Sequence, residues 1–289
     1  MPDLAEPFRY EFFRNGVMAA TMVGALCGLM GVYIVLRGMS YIGHGLSHSV
    51  FGGAVVSHVF AWNFYLGAGL WGFVSALLIN AVGRRGKVGA DAAIGIVTTT
   101  SFAVGVAIIS KRRTFTRDFE AVLFGNILGV TESDLLVIGA VTAAVVTAVF
   151  FAYKQLLFAT FDPELARIHG IPTGWVDTGF ALALAATVVA SMNIVGVTLI
   201  AAAIVIPPTI ARLLSDAFGR VLMISTILGA LFGFGGMVLS YAYDVASGAA
   251  IVLFAAAVFA SVYTWTAVHR LLLAHRWSGL ARATFEDTP

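Results

Sequence analysis

Two histidines four residues apart, His44 and His48, stand in the stretch Arg37-Gly-Met-Ser-Tyr-Ile-Gly-His44-Gly-Leu-Ser-His48-Ser. On a helix, side chains at i and i+4 share a face and lie about 6 Å apart along the axis. Neutral imidazole is a ligand for zinc, copper, iron and nickel. Two such ligands leave a tetrahedral zinc site to be completed by other groups or by water. The same pair can instead hydrogen-bond to backbone carbonyls at a helix break. Depth makes the pair notable under either reading. The apolar run that follows, Val50–Trp62, has 13 residues, about 20 Å of helix, which cannot cross a bilayer alone. The helix must therefore begin near Tyr41, and both imidazoles then sit within the membrane, where ionisable groups are costly and mark function by default. His58 falls about 15 Å further along such a helix, on another face, and is expected at the interface.

Two further stretches carry local chemistry. In Phe161-Asp-Pro-Glu-Leu-Ala-Arg-Ile-His-Gly-Ile-Pro172, Asp162 suits an N-cap and Pro163 suits the first helical position. Glu164 favours the positive helix end, and Gly170 suits the stop. The pattern predicts a helix of about two turns over 162–170, lying along the membrane as a linker or as a contact for a partner, with Glu164 and Arg167 facing that partner. The stretch Gly196–Leu214 carries Pro207 and Pro208. A double proline frees carbonyls and bends a span, often where a cavity is lined. It is read here as a kink, partly unwound, with lining of a pathway as the alternative.

The elements that must position these residues follow from composition. Of the 289 residues, 60% are hydrophobic and only 11% are charged, with a mean hydropathy of +0.94. Soluble domains carry about 25% charged residues, so this chain cannot cover its own surface in water. Its apolar runs exceed the roughly ten-residue segments of a membrane barrel, which leaves an all-α, polytopic helical membrane protein. Nine spans are predicted: Gly16–Leu36, Tyr41–Trp62, Leu66–Val82, Ala92–Ile109, Leu135–Tyr153, Val176–Met192, Gly196–Ala211, Val221–Tyr243 and Ala249–Val268. Val122–Val130 is apolar but too short to span, and reads as an external re-entrant or interfacial piece. The pairs Gly24/Gly28 and Gly229/Gly233 have the spacing that lets membrane helices approach closely. All of residues 1–289 read as one transmembrane domain, and the acidic and basic start before Gly16 reads as a flank of a retained span.

Orientation follows from Lys and Arg. With the N-terminus outside, the cytoplasmic segments hold Arg37, Arg84, Arg85, Lys87, Lys154, Arg167, Arg212, Arg220, Arg270, Arg276 and Arg282, eleven in all. The outer segments hold Arg9, Arg14, Lys111, Arg112, Arg113 and Arg117, six in all. The C-terminus is accordingly expected in the cytoplasm. A net charge of +2 gives no footing for nucleic acid. With Cys27 as the only cysteine there is no intramolecular disulfide and no cysteine metal cluster. No G-x-x-x-x-G-K-S/T, HExxH or Ser/His/Asp arrangement is present, so any ATP hydrolysis must belong to another chain. No permanently bound cofactor is expected.

Five ordered motifs resemble the permease subunits of bacterial ABC importers for zinc, manganese and iron, over about Phe13 to Leu271. They are Val35-Leu-Arg-Gly-Met-Ser40, Gly43-x-x-Leu-Ser-His48, Phe124-Gly-Asn-Ile-Leu-Gly-Val130, Phe161-Asp-Pro-Glu-Leu-Ala166, and Gly196 through Leu214 with its Ile-Pro and Ala-Arg-Leu-Leu elements. The resemblance implies a fold similar to the vitamin B12 importer permease, in the bacterial inner membrane. It implies work as a dimer, with a second copy or a paralogous permease, over two ATPase subunits and fed by an extracytoplasmic metal-binding protein. It makes 162–170 the coupling helix, with Asp162, Pro163, Glu164, Arg167 and Gly170 serving the ATPase contact, and puts His48 on the metal pathway. At position 44 these permeases usually carry Asp. His44 tilts the expected cargo toward zinc over manganese, because manganese favours oxygen ligands and zinc suits imidazole. An ion-coupled carrier is the alternative, although the only carboxylate within the drawn spans is Asp177, near an edge. A membrane scaffold is the other.

Overall fold

The computed structural model describes residues 6–83, 89–112, 123–125 and 129–286, without the side chains of Ala90, Arg112, Asn193 and residues 270–286. The residues before Glu6, the cations Arg84, Arg85, Lys87, Arg113 and Arg117, and residues 122 and 126–128 of the short apolar stretch lie outside the described residues, as do the side chains of Arg270, Arg276 and Arg282.

The described chain is helical. Helices α1 (Glu11–Leu36), α2 (Ser40–Val59), α3 (Phe64–Gly83) and α4 (Ala90–Arg112) form the first half. After α5 (Glu132–Phe151) come two short helices, α6 (Tyr153–Phe161) and α7 (Pro163–Ile168). The chain then returns through α8 (Thr173–Val195), α9 (Ile200–Leu214), α10 (Phe218–Tyr243) and α11 (Ser247–Glu286). Each of the nine predicted spans falls on one of these helices, and α6 is an addition. Among the described residues, seven helices are long and apolar enough to cross a membrane. The two others that carry predicted spans are α2, which is too polar to qualify, and α9, which is too short. Their shortfall has a physical cause. α2 packs against α3, α4, α8 and α9, so its serines and glycines face protein rather than lipid. Ser49 donates to Ser75 on α3, and Ser57 to the Gly53 carbonyl within α2. α9 is short because an internal break takes the place of its first turn.

The ends of these helices are specified locally. Thr131 and Asp134 form a reciprocal capping box on α5. The Asn63 side chain accepts from the Tyr65 and Leu66 amides at the start of α3. α1 stops in a Schellman motif: Gly38 has φ +67°, its amide donates to Val35 O at 3.2 Å, and the Met39 amide donates to Ile34 O at 3.0 Å. Glycine packs the bundle as the i, i+4 spacing anticipates. A Cβ on Gly24 would strike the Gly229 carbonyl, and one on Gly233 would strike Ala20 O. Across the same α1–α10 seam Ser225 Oγ donates to Gly28 O at 2.6 Å.

The double proline does not unwind its span. Pro207 and Pro208 are buried inside a continuous α9, and the interruption lies upstream, at Gly196–Leu199 between α8 and α9. Gly196 takes φ +82° there, and a Cβ would collide with backbone at residues 123–125. A neighbouring helix leaves room for the carbonyl that Pro208 frees. The Ile204 oxygen, four residues before Pro208, faces the bare Cα of Gly31. The break is satisfied from outside its own strand of chain. Thr198 donates its amide and hydroxyl to Leu123 O at 3.3 and 2.9 Å, and Ser47 Oγ on α2 donates to Val197 O at 3.0 Å. Irregular backbone inside a membrane bundle needs such partners. Residues 123–125 of the short apolar stretch thus pack against this break.

Candidate functional site

α2 begins at Ser40, which carries both histidines on helix as the spacing requires. Their Nε2 atoms lie 3.2 Å apart, with ring centroids at 4.5 Å and planes crossing at 83°. Two imidazole nitrogens on one tetrahedral zinc, at about 2.0–2.1 Å each, stand roughly 3.3 Å from one another. The same separation suits a hydrogen bond from one ring to the other. Phe102 of α4 holds His48 edge-on, with centroids 5.0 Å apart.

The pair opens on a cavity of about 550 Å³ between α2 and α4, lined on the α4 side by Asp91, Thr98, Thr99 and Phe102. The two helices run parallel and close. A Cβ on Gly45 would meet Ile94 and Thr98, and one on Gly52 would meet the Ser101 carbonyl. That register puts Ile94 level with Gly45, hence with the histidines, and Asp91 about one turn toward the α4 start. Among the described residues, no group of three or more His, Cys, Asp and Glu could hold a metal ion. The chain by itself offers the histidine pair plus a carboxylate a turn away. His44 is exposed on the bundle surface while His48 is half-buried. His58 is exposed at the other end of α2, away from the pair, and Pro207 and Pro208 lie outside this cavity.

The capped helix is built as its residues dictate. Asp162 Oδ1 accepts from the Leu165 amide at 2.8 Å, and Pro163 occupies the first turn. The Gly170 and Ile171 amides close a second Schellman motif on Arg167 O and Ala166 O, with Gly170 at φ +75°. Only Ala166 is buried, and Glu164, Leu165 and Ile168 are exposed. Arg167 Nε turns back to donate to Thr173 Oγ1 at 3.1 Å, bracing the loop into α8. Arg167 is itself exposed, beside Glu164, Leu165 and Ile168.

Sequence reasoning missed two groups. Asp91 sits one residue before the predicted start of its span. The other is an ion pair: Arg37 Nη1 meets Asp177 Oδ1 at 2.8 Å, while Arg37 Nε donates to Thr160 Oγ1 at 3.1 Å. The carboxylate within the drawn spans is thus engaged by a fixed cation. The Leu-Arg-Gly motif and Asp177 were both visible, but nothing local connects positions 140 apart.

The chain is a bundle of packed apolar helices, with a break at Gly196–Leu199, a capped surface helix and a cavity beside a histidine pair, the architecture of a polytopic membrane protein. Comparison with known proteins places it. The profile of the ABC 3 transport family matches residues 9–265. The manganese transport system membrane protein MntC of Halalkalibacterium halodurans is 34% identical over 270 residues, covering 93% of this chain and 92% of that one. The chelated iron transport system membrane protein YfeC of Yersinia pestis is 32% identical over 269 residues, covering 93% and 91%. Among solved structures, PsaBC from Streptococcus pneumoniae in complex with Fab superposes with a TM-score of 0.82 at 31% identity, over 90% of this chain and 94% of that one. The chain belongs to the ABC 3 transport family.

Proposed function

We propose that this chain is the permease subunit of an ATP-driven importer of a divalent transition metal ion, carrying zinc in preference to manganese or iron. The observation that carries this reading is the convergence of His44 and His48 Nε2 to 3.2 Å on the wall of a large cavity. The manganese and iron transport roles in the names of its relatives support the metal class. Imidazole at position 44, where Asp is usual, supports zinc. A second reading, manganese, is favoured by Asp91, whose carboxylate lines the same cavity and offers the hard oxygen that manganese prefers. The exposed side of His44 suits completion of the site by water or by a second permease copy, identical or paralogous.

The remaining partners follow from the same reading. A cytoplasmic ABC ATPase dimer docks on α7, where Leu165 and Ile168 present apolar surface beside Glu164. An extracytoplasmic binding protein delivers the ion at the opposite end. The chain then lies in the bacterial inner membrane with its N-terminus outside. Single cysteines at Ser133 and Asp216, in a Cys27→Ala background, label from opposite sides of the membrane, whereas labelling from one side contradicts the orientation. The function is tested by reconstituting the permease, its ATPase and its binding protein in vesicles and following ⁶⁵Zn and ⁵⁴Mn accumulation with ATP inside and out. ATP-dependent accumulation that His48→Ala abolishes supports it. Accumulation independent of ATP, or indifferent to that substitution, removes it.

A further inference from the structure

Both legs of the hairpin that carries α7 are held by one side chain. Thr160 is the penultimate residue of α6, and Asp177 is the fifth residue of α8. The two flank α7 (Pro163–Ile168), and Arg37 reaches both, with Nε on the Thr160 hydroxyl and Nη1 on the Asp177 carboxylate. Its guanidinium also lies over the Phe180 ring, with Cζ 4.6 Å from the centroid. Side-chain exposure is 10% for Arg37 and 35% for Asp177, so the cation is almost wholly enclosed and the pair is poorly screened. A planar fork with several donors can hold two differently placed acceptors at once, which a lysine ammonium on a flexible stem does less rigidly.

The backbone of Arg37 is as informative as its side chain. It caps α1 in the Schellman bend, and α2 starts three residues later at Ser40. His44 follows Arg37 by seven residues, about two turns, with no loop between Ser40 and His44 to absorb a displacement. The bend is short, hydrogen-bonded and set by the positive φ of Gly38. Among the described residues, the main contacts of α7 fall on its chain neighbours α6 and α8. A push on α7 therefore reaches the core through those two legs, and one guanidinium joins both legs to the start of the histidine helix.

We propose that Arg37 is the positioning residue that transmits movement of α7 to α2, so that the state of a partner on α7 sets the exposure of the cavity beside His44 and His48. This inference rests on the reading of α7 as the ATPase contact. It does not depend on which ion is carried, or on whether one is. Asp177 and Thr160 serve as the two anchors. Phe180 supplies the surface on which the guanidinium slides or stays.

The test reads the cavity directly. Thr99, which lines it from α4, is replaced by Cys in a Cys27→Ala background. Labelling of that thiol is then measured in the complete complex, nucleotide-free and with a non-hydrolysed ATP analogue. In the parent complex the nucleotide is expected to change the labelling rate about tenfold, within the range typical of coupling between distant sites. Arg37→Met removes most of that response while the ATPase still copurifies. Thr160→Val, which spares the ion pair, removes part of it, and Arg37→Lys falls between the two. Should Arg37→Met fail to assemble, Thr160→Val and Arg37→Lys decide alone. An undiminished nucleotide response in the variants overturns the role of Arg37 and leaves the ATPase contact standing. No response in the parent complex overturns both.

Discussion

Two seams in this bundle use the same residue and end in opposite ways. Along α1 and α10, Gly24, Gly28, Gly229 and Gly233 bring backbones together until a methyl group has no room, and the seam stays closed along its length. Along α2 and α4, Gly52 and Gly105 make an equally tight contact. One or two turns away that second seam parts around His44, His48 and Asp91 to leave about 550 Å³. The difference lies at the histidine end of the second seam, since at Gly52 the Ser101 carbonyl faces the glycine much as backbone does along α1 and α10. At Gly24 and Gly28 the facing group is backbone, which cannot move without breaking a helix. At Gly45 it is the Cγ2 methyl groups of Ile94 and Thr98, side chain rather than main chain. Close packing serves as a wall in the first seam, and in the second as a brace that fixes the histidines beside an opening.

That comparison can be broken most severely at the wall. Gly229→Leu drives a side chain into the Gly24 carbonyl, with no rotamer that escapes. Overpacking costs about 1–3 kcal/mol even where side chains can shift, and here backbone must. The expected outcome is loss of folded protein, seen as aggregation in gel filtration. The contrasting change is His48→Ala, which removes a cavity-facing ring. Uptake is expected to disappear while expression, assembly and ATPase association match the parent, checked by copurification. A smaller effect is expected for Gly45→Ala. Its methyl meets the Cγ2 branches of Ile94 and Thr98, which are stiff at χ1, so thermal stability should fall by about 1–3 kcal/mol. The labelling rate of the cavity should change more than that stability. The smallest effect belongs to Tyr65→Phe, which removes a hydroxyl that donates to Asp134 at 2.8 Å. It should cost about 1 kcal/mol in thermal unfolding and leave uptake unchanged, because Tyr65 lies at the start of α3 and outside the cavity lining. A large transport defect there would mean that uptake depends on packing well outside the α2–α4 seam.

What the sequence made legible was whatever is encoded locally. Apolar runs gave the helices, and Asp162, Pro163 and Gly170 gave α7 its start and stop, because caps act through backbone within a few residues. The histidine pair was legible for a similar reason, since helix periodicity alone puts positions 44 and 48 on one face. The break at Gly196–Leu199 was obscured by a louder signal, Pro207–Pro208. Gly31 leaves room for the Ile204 carbonyl that Pro208 frees, a contact made across the fold. Arg37 and Asp177 were separately visible as a cation and a carboxylate near helix ends. Their pairing depends on α1, α6 and α8 meeting at one end of the bundle. Asp91 escaped because the apolar run starts at Ala92 while α4 starts at Ala90. Those two extra residues, about half a turn, bring the carboxylate into the cavity lining.

The central claim is that the ion passes between His44 and His48, and that the residue at position 44 helps to choose it. The most direct measurement is the ratio of ⁶⁵Zn to ⁵⁴Mn accumulated by the reconstituted complex under competition, for the parent and for His44→Asp. Exchanging one imidazole nitrogen for a carboxylate oxygen should favour manganese. A shift in the ratio of about tenfold, worth roughly 1.4 kcal/mol, is the predicted result, with total ATP-driven uptake retained. An unchanged ratio at unchanged uptake would contradict the account and return the pair to a structural contact within α2.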